Sequence, residues 1–564
     1  MPSVNCSKQL HFNLNGVVQT VESKDANCSL NEWIRLHTRV KSCKLSCGEG
    51  GCGSCAVAVE YEDPVTGKPA LKSVNSCLTP AYAVSGCHVT TAEGLPKAKE
   101  GGVNPVIDRL VGFHATQCGF CTPGMAIACH TALAKANAAR AAGTGDGDRK
   151  SPTAAELRDA LDGNLCRCTG YRPIVDACKS FACDVDMEDL GISAYKSLAE
   201  MPAMPSVPEC NGVHVASAPA AAQPDVAPTK AIHIGDRQTL FVPHSLEQLS
   251  QIIQEQASCG SVVRLVGGNT GPGVYKDWPR HQPVLISTTK VPGLLRISHS
   301  SFNSAPALRV GSAVTLSNLL GKLEGTAGNK DSIEGMDAKV QSRMREVWSG
   351  LAAHLKRVAG THVRNSATVV GNLVLARLRG LPSDIATLML AAGAHVELMD
   401  FQGAEGPPAV QTMPLLEFLG ADSGKPMSPP HPPVGATIAS AKAGTKGLTE
   451  GLSSGKVLVT AVLLPLAQGT SEPRFWSSRV AERWVNAASL INGALSLYDI
   501  PGDGQARVVF GMDLGTTLGK HEWRVVQCPK VEAVLQQVGC MNVRMEAHES
   551  NLCLILCQEV ICHP

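Results

Sequence analysis

The sequence predicts an α+β chain of several domains. Three observations carry that reading. The 564 residues suffice for three or four cores of ordinary size. Short β-type runs broken by turn residues occupy residues 8–95, and a helical period takes over across 104–185. After a stretch rich in Ala, Pro, Ser and Val (186–232), read as a linker, ordinary α/β alternation resumes near residue 233.

The elements follow in order. HFNLNGVVQTVE reads as a hairpin turning at Asn15-Gly16, because that dipeptide accepts the positive φ of a tight hairpin turn. LNEWIRLHT reads as an amphipathic helix with Leu30, Trp33, Ile34 and His37 on one face, and CAVAVEYED as a strand leading to a turn at Gly67. Asn104 can cap a helix opened by Pro105, with Val106, Leu110 and Phe113 on one side. Thr153 and Glu156 form a capping box, and Gly163 is the expected end of that helix. AKANAARAAGTGDGDRK before it reads as a small-residue loop. Pro173 opens a helix through Ile174, Ala177 and Phe181. Further on, VVRLVGG, PVLIST, ALRVGSAVTL, AHVELMD and VLVTAVLLP are strand-like.

Apolar residues make up 44% and charged residues 18%, which fits a globular protein, and the formal net charge is only +1. No basic field reaches toward nucleic acid or anionic lipid, so neither is an expected partner. The N-terminus is polar almost from the start and no apolar run approaches twenty residues, so neither a signal peptide nor a membrane span is expected. Twenty-two cysteines then need another explanation than secretion. Many sit in C-x-x-C or C-x-C pairs, a spacing that suits metal in a reducing compartment, so a cytoplasmic location is expected.

Cys47, Cys52 and Cys55 stand as C-x4-C-x2-C, with Cys77 as the fourth thiol. This is the plant-type ferredoxin spacing for a 2Fe–2S cluster, which takes four thiolates. Glycines at 48, 50, 51 and 53 let the loop curl with positive φ and turn its N–H groups toward sulfur. Cys118 with Cys121, and Cys166 with Cys168, form a second group, each pair just ahead of an expected helix whose N-terminal donors favour anionic thiolates. Spacing alone leaves zinc open for this second group. The other fourteen cysteines, among them Cys43, Cys87, Cys129 and Cys183, read as small buried hydrophobes or free thiols.

CGEGGCGSC, QCGFCTPGM and GNLCRCTGYRP together resemble the iron–sulfur portion of the molybdenum hydroxylases, the xanthine dehydrogenase and aldehyde oxidase group. The resemblance implies a β-grasp 2Fe–2S ferredoxin domain over 1–95 and a four-helix-bundle 2Fe–2S domain over 96–185. It implies that Cys47, Cys52, Cys55 and Cys77 ligate an outer cluster nearer a flavin. Cys118, Cys121, Cys166 and Cys168 would ligate an inner cluster, with Gln117 and Cys168 approaching a molybdopterin.

Leu265-Val266-Gly267-Gly268-Asn269-Thr270-Gly271-Pro272 follows a strand-like run, and its glycines let backbone N–H groups approach a pyrophosphate. Ser366 to Asn372 and then Leu381 to Asp384 form a second segment. Asp384 reads either as an acceptor for a ribose hydroxyl or as a helix N-cap. The pair resembles the FAD-binding domain of the same family, here a two-part α+β domain with boundaries at 233–466 and 467–540. That resemblance makes Leu265 to Pro272, Thr368, Gly371, Asn372, Asp384, Val459 and Arg479 flavin contacts. Val358 stands where an aromatic often flanks the flavin ring, Val370 replaces a glycine, and ARLRGL is longer than usual. RVAERWVNAA, ARVVFGMD and VEAVLQQ resemble the smaller flavoprotein subdomain, and the tail 541–564 diverges.

The expected function is electron transfer through two 2Fe–2S clusters to FAD and then to NAD or oxygen. The molybdopterin would be supplied by an absent domain or a separate subunit, because its glutamate base is not recognisable here. The resemblance leaves room for a homodimer. The alternatives are an NADH-dependent diaphorase-like flavoprotein, a zinc-stapled scaffold, and a non-catalytic truncated product of a longer hydroxylase.

Overall fold

In the computed structural model the description covers residues 6–7, 9–97, 103–141, 152–186, 190, 231–234, 238–275, 284–302, 305–327, 337–379, 383–401, 408–420, 443–466, 474–481, 489–497, 506–513 and 523–527. The segments AGTGDGDRKS (142–151), most of the linker, residues 482–488, VEAVLQQ and the tail 541–564 lie outside the described residues. The chain divides into two compact units. One comprises Met1–Val242, Asn269–Leu285 and Ala359–Ser366; the other comprises Pro243–Gly268, Ile286–Val358 and Ala367–Pro564.

In the first unit, Asn15 and Gly16 take φ of 52° and 87° and join the antiparallel strands Gln9–Leu14 and Val17–Glu22. Both central residues in the left-handed region give a tight turn that matches strand twist, as the dipeptide predicts. Leu10, Phe12 and Leu14 alternate into the core, where Phe12 meets Trp33 edge-on at 5.2 Å between ring centroids. Trp33 lies on the helix Leu30–His37, capped by Ser29. Strands Val17–Glu22, Gln9–Leu14, His88–Thr90, Ala56–Glu62 and Pro69–Asn75 form one mixed sheet in that order, with Gln9–Leu14 parallel to His88–Thr90. A helix under a mixed five-stranded sheet is the ferredoxin-like arrangement that the resemblance implies.

Four helices follow: Pro105–Gly112, Thr122–Ala141, Ala154–Asp159 and Arg172–Lys179. Asn104 caps the first through Val106 N, and Thr153 and Glu156 make the full capping box of the third. Val106, Leu110, Met125, Leu157, Ile174 and Ala177 bury together, joined by Ala56 and Ala58 from the sheet. Two expectations are corrected. Residues 134–141 continue the second helix, because an alanine-rich run has high helix propensity. The third helix ends at Asp159, so Gly163 does not terminate it; Gly163 lies where a Cβ would sit 2.8 Å from the His362 ring.

The second unit is built on an antiparallel sheet in the order Ile297–Phe302, Ala305–Gly311, Val457–Pro465, His395–Asp400, Ala409–Pro414. Val457–Pro465 is the apolar run VLVTAVLLP, and its central place explains burial on both faces. Helices Leu316–Ala327, Arg345–Leu355, Val369–Arg379 and Asp384–Ala391 bury Leu319, Trp348, Leu373 and Ile385 in its main core. Strands Arg474–Ala481, Ser489–Leu497, Ala506–Asp513 and Trp523–Gln527 make a second antiparallel sheet in sequence order. Among the described residues no helix is long and apolar enough to cross a membrane.

Candidate cluster and flavin sites

The loop between Cys43 and Cys55 turns on Gly48, Gly50 and Gly53, whose φ values are 67°, 81° and 66°. Gly50 must stay bare, since a Cβ there would sit 2.6 Å from Leu78 and 2.9 Å from Val363. The curl brings the Cys47 and Cys52 sulfurs to 3.3 Å, and the Glu49 N–H donates to the Cys47 sulfur at 3.4 Å. The Cys77 thiol, with burial, holds Cys55 well above the usual thiol range, and Cys55 Sγ lies 3.6 Å from Asn75 Oδ1. The Cys47 thiol donates to Cys52, and this bond, against burial, brings Cys52 down to about 4 while it raises Cys47. Cys43 lies apart: it is buried and touches Asn31 and Ser76, an ordinary interior thiol as expected.

The second group forms where two helices begin. Cys118 and Cys121 precede Thr122–Ala141; Cys166 and Cys168 precede Arg172–Lys179. Cys168 lies 3.6 Å from Cys118 and 3.7 Å from Cys166, and Cys121 pairs with Cys166. Tyr171, in the left-handed region at φ 67°, sends its hydroxyl to the Cys166 N–H at 3.0 Å. Burial opposes ionisation of Cys166, but the Thr169 hydroxyl and the Thr169 and Cys168 N–H groups bring it to about 7. Cys121 and Cys166 are buried, while Gln117, Cys118 and Cys168 are exposed.

The structure thus gathers the eight thiols into two groups of four, each made of two close pairs. Two pairs per group match a two-iron cluster, which needs two thiolates on each iron. The donor set and the bare, positive-φ glycines fit that cofactor. The groups also touch. The Leu165 N–H donates to the Cys52 carbonyl at 2.9 Å, and a Cβ on Gly124 would lie 2.3 Å from the Gly53 carbonyl.

The flavin candidates fall into both units, and each is described where it lies. In the second, Val263–Val266 ends in Gly267, whose Cβ would sit 3.2 Å from Thr368. Gly371 donates its N–H to Thr368 Oγ1 at 3.0 Å and would clash with it if it carried a Cβ. Gly267, Thr368 and Gly371 are therefore brought together as a cradle without side-chain bulk. Asn372 Oδ1 accepts from Ser383 Oγ at 2.5 Å, and Ser383 caps Asp384–Ala391. The capping alternative for Asp384 is thereby corrected: the cap is Ser383, one residue earlier. The Asp384 carboxylate lies 3.4 Å from Arg479 Nε and 3.7 Å from His354 Nε2, all buried or nearly so. The structure thus joins Asp384 and Arg479, two candidates 95 residues apart (479 minus 384), and adds His354, which the sequence reading missed. Val459 is buried in its strand, and Val358 is partly buried against the main core. In the first unit Asn269 is left-handed at φ 54° and opens the short helix Thr270–Val274, which contains Gly271 and Pro272.

Comparison with known proteins finds three family models in order along the chain. Residues 12–82 match the 2Fe-2S iron–sulfur cluster binding domain, residues 91–179 the [2Fe-2S] binding domain, and residues 235–423 the FAD binding domain in molybdopterin dehydrogenase. The abscisic-aldehyde oxidase of Arabidopsis thaliana is 38% identical over 414 residues, covering 73% of this chain and 28% of that protein. The indole-3-acetaldehyde oxidase of Zea mays is 38% identical over 395 residues, 68% of this chain and 27% of that one. This chain therefore matches little more than a quarter of the length of these relatives. Among solved structures, quinoline 2-oxidoreductase from Pseudomonas putida 86 is 30% identical over 33% of this chain and 99% of that chain, with a TM-score of 0.24. With two 2Fe–2S-binding domains followed by an FAD-binding domain, the chain belongs to the molybdenum hydroxylase family and carries its iron–sulfur and FAD portion.

Proposed function

We propose that this chain is the electron-transfer portion of an aldehyde oxidase- or xanthine dehydrogenase-like enzyme. One observation carries the reading: two groups of four paired thiols stand on loops joined backbone to backbone by Leu165 and Cys52. When bound, the clusters supply one-electron and the flavin two-electron redox chemistry, and NAD or oxygen is the final acceptor. Cys47, Cys52, Cys55 and Cys77 hold the outer cluster; Cys118, Cys121, Cys166 and Cys168 hold the inner one. Gln117, Cys118 and Cys168 form the exposed side of the inner site and face a molybdopterin-bearing domain or subunit. The buried side, through Cys166, faces the outer loop. Gly267, Thr368 and Gly371 receive the dinucleotide backbone, Asp384 with Arg479 binds its polar groups, and Val358 leaves the ring face less crowded than an aromatic would. The four helices act as the bundle that carries the inner cluster, and 474–527 as the smaller lobe of a two-part flavin domain.

The test is the content of iron, acid-labile sulfide, zinc and flavin per chain, on protein purified without air. About four irons, four sulfides and one FAD are expected, two 2Fe–2S clusters and one flavin. Zinc in place of iron would overturn the reading.

A further inference from the structure

The segment 359–366 sits in the sequence between flavin candidates Val358 and Thr368, yet it belongs to the first compact unit. Its short helix Thr361–Arg364 presents His362, which is 1% exposed and has both ring nitrogens engaged. Nδ1 lies 2.9 Å from Ser73 Oγ and Nε2 lies 2.8 Å from Asn164 Oδ1. Asn164 Nδ2 reaches the Gly53 carbonyl at 3.3 Å, and a carbonyl only accepts, so the amide orientation is fixed. Asn164 Oδ1 must therefore receive a proton. Nε2 carries it, and Nδ1 accepts from the Ser73 hydroxyl. Burial keeps the ring neutral, with its pKa lowered to about 4, which agrees with this single tautomer.

The neighbours of His362 hold the same two elements. Arg364 Nη2 meets Asp162 Oδ2 at 2.5 Å, the Thr361 N–H donates to Asp162 Oδ1 at 2.7 Å, and Asn365 Nδ2 donates to the Ser73 carbonyl at 2.8 Å. One eight-residue segment thus grips the turn 162–164, which leads into Cys166, and the strand Pro69–Asn75, which leads toward Cys77. Plain structural adhesion would need only the ion pair and the backbone bonds. It does not account for a neutral imidazole that orients one amide onto the carbonyl between Cys52 and Cys55. Partners one shell out from cluster ligands set ligand orientation, N–H···S geometry and potential.

We propose that 359–366 is a positioning element of the two-cluster relay: by fixing the Asn164 amide on the Gly53 carbonyl, His362 sets the mutual placement of the two thiol loops and hence the cluster potentials and the rate of exchange between them. This rests on the cysteine ligand assignment of the proposed function. The experiment uses the full chain purified without air, with iron counted and both clusters titrated by electron paramagnetic resonance. His362→Ala keeps about four irons but shifts at least one reduction equilibrium by about tenfold, which is about 59 mV for one electron. Exchange between clusters slows. His362→Gln, whose amide can donate to Asn164 and accept from Ser73, restores both. Unchanged potentials and exchange in a less stable His362→Ala protein overturn the proposal and leave adhesion as the role. Should that variant not fold, Asn164→Ala removes the amide from the Gly53 carbonyl while His362 stays in place, and wild-type potentials and exchange there overturn the proposal equally. A wild-type chain without four irons overturns the ligand assignment and this inference with it.

Discussion

Replacing His362 by glutamine should remove a defined part of the protein's sensitivity to acid. The imidazole pKa is lowered from 6.5 to about 4, chiefly by burial, with Arg364 adding to the effect and Asp162 opposing it. The unfolded chain therefore binds a proton that the folded chain refuses between those values. The stability that a neutral His362 contributes is complete above pH 6.5 and is lost as pH falls through 6.5 toward 4. A gap of about 2.5 units corresponds to about 3 kcal/mol at about 1.4 kcal/mol per unit, of which about 2 kcal/mol is gone by about pH 5. The assay is denaturant unfolding of wild type and His362→Gln at about pH 7.5 and about pH 5. Acid lability of the clusters and of other groups enters both proteins alike, so the quantity that matters is the difference between the two pH differences. The variant should be weaker at the higher pH and should lose about 2 kcal/mol less on acidification. Equal acid losses in the two proteins would refute the neutral, buried imidazole.

Three further outcomes follow from the geometry. Cys52→Ser should remove one of two cluster signals in electron paramagnetic resonance and leave the other, whereas two intact signals would contradict the ligand role. Gly53→Ala must hold φ 66° and place a Cβ 2.5 Å from the Gly163 carbonyl, costing about 2–4 kcal/mol, while Gly67→Ala at the same φ meets nothing and costs about 1 kcal/mol; equal midpoints in denaturant would show that the loops are not pressed together. Asp384→Asn, which keeps the shape beside Arg479, should lower FAD occupancy, and full occupancy with lowered stability would make the pair purely structural.

What the sequence made legible is chemistry confined to a few neighbouring residues. Asn15-Gly16 specifies its turn because both residues accept positive φ, and Thr153 with Glu156 specifies a helix start because each side chain reaches the other's backbone. The cysteine groups are legible for the same reason, since three of four outer thiols share one nine-residue loop. Errors arose where a residue type serves two ends. Gly163 looked like a helix terminator, but its missing Cβ makes room for an imidazole nearly two hundred residues away. Asp384 read either as a ribose acceptor or as a cap; Ser383 does the capping, and the carboxylate turns to Arg479 and His354. The alanine-rich run before residue 142 looked like a loop because small residues suggest mobility, yet helix propensity and packing decide otherwise.

His362 was illegible for a stronger reason: each of its partners, Ser73 and Asn164, is an ordinary polar residue, and only the fold brings the three together. This has a consequence for what counts as the cluster-bearing part of the chain. A fragment cut at residue 185 would contain all eight cysteines and both cluster loops. It would still leave Ser73, Asp162 and Asn164 without the His362, Arg364 and Thr361 groups that satisfy them. A buried polar group that loses its partner costs about 1–3 kcal/mol, and a charged one such as Asp162 costs more, unless water enters. Water entering there would reach the turn that carries Asn164 and, through it, the carbonyl next to Cys52. Residues 359–366 therefore complete the cluster unit, although in the sequence they lie amid the flavin candidates.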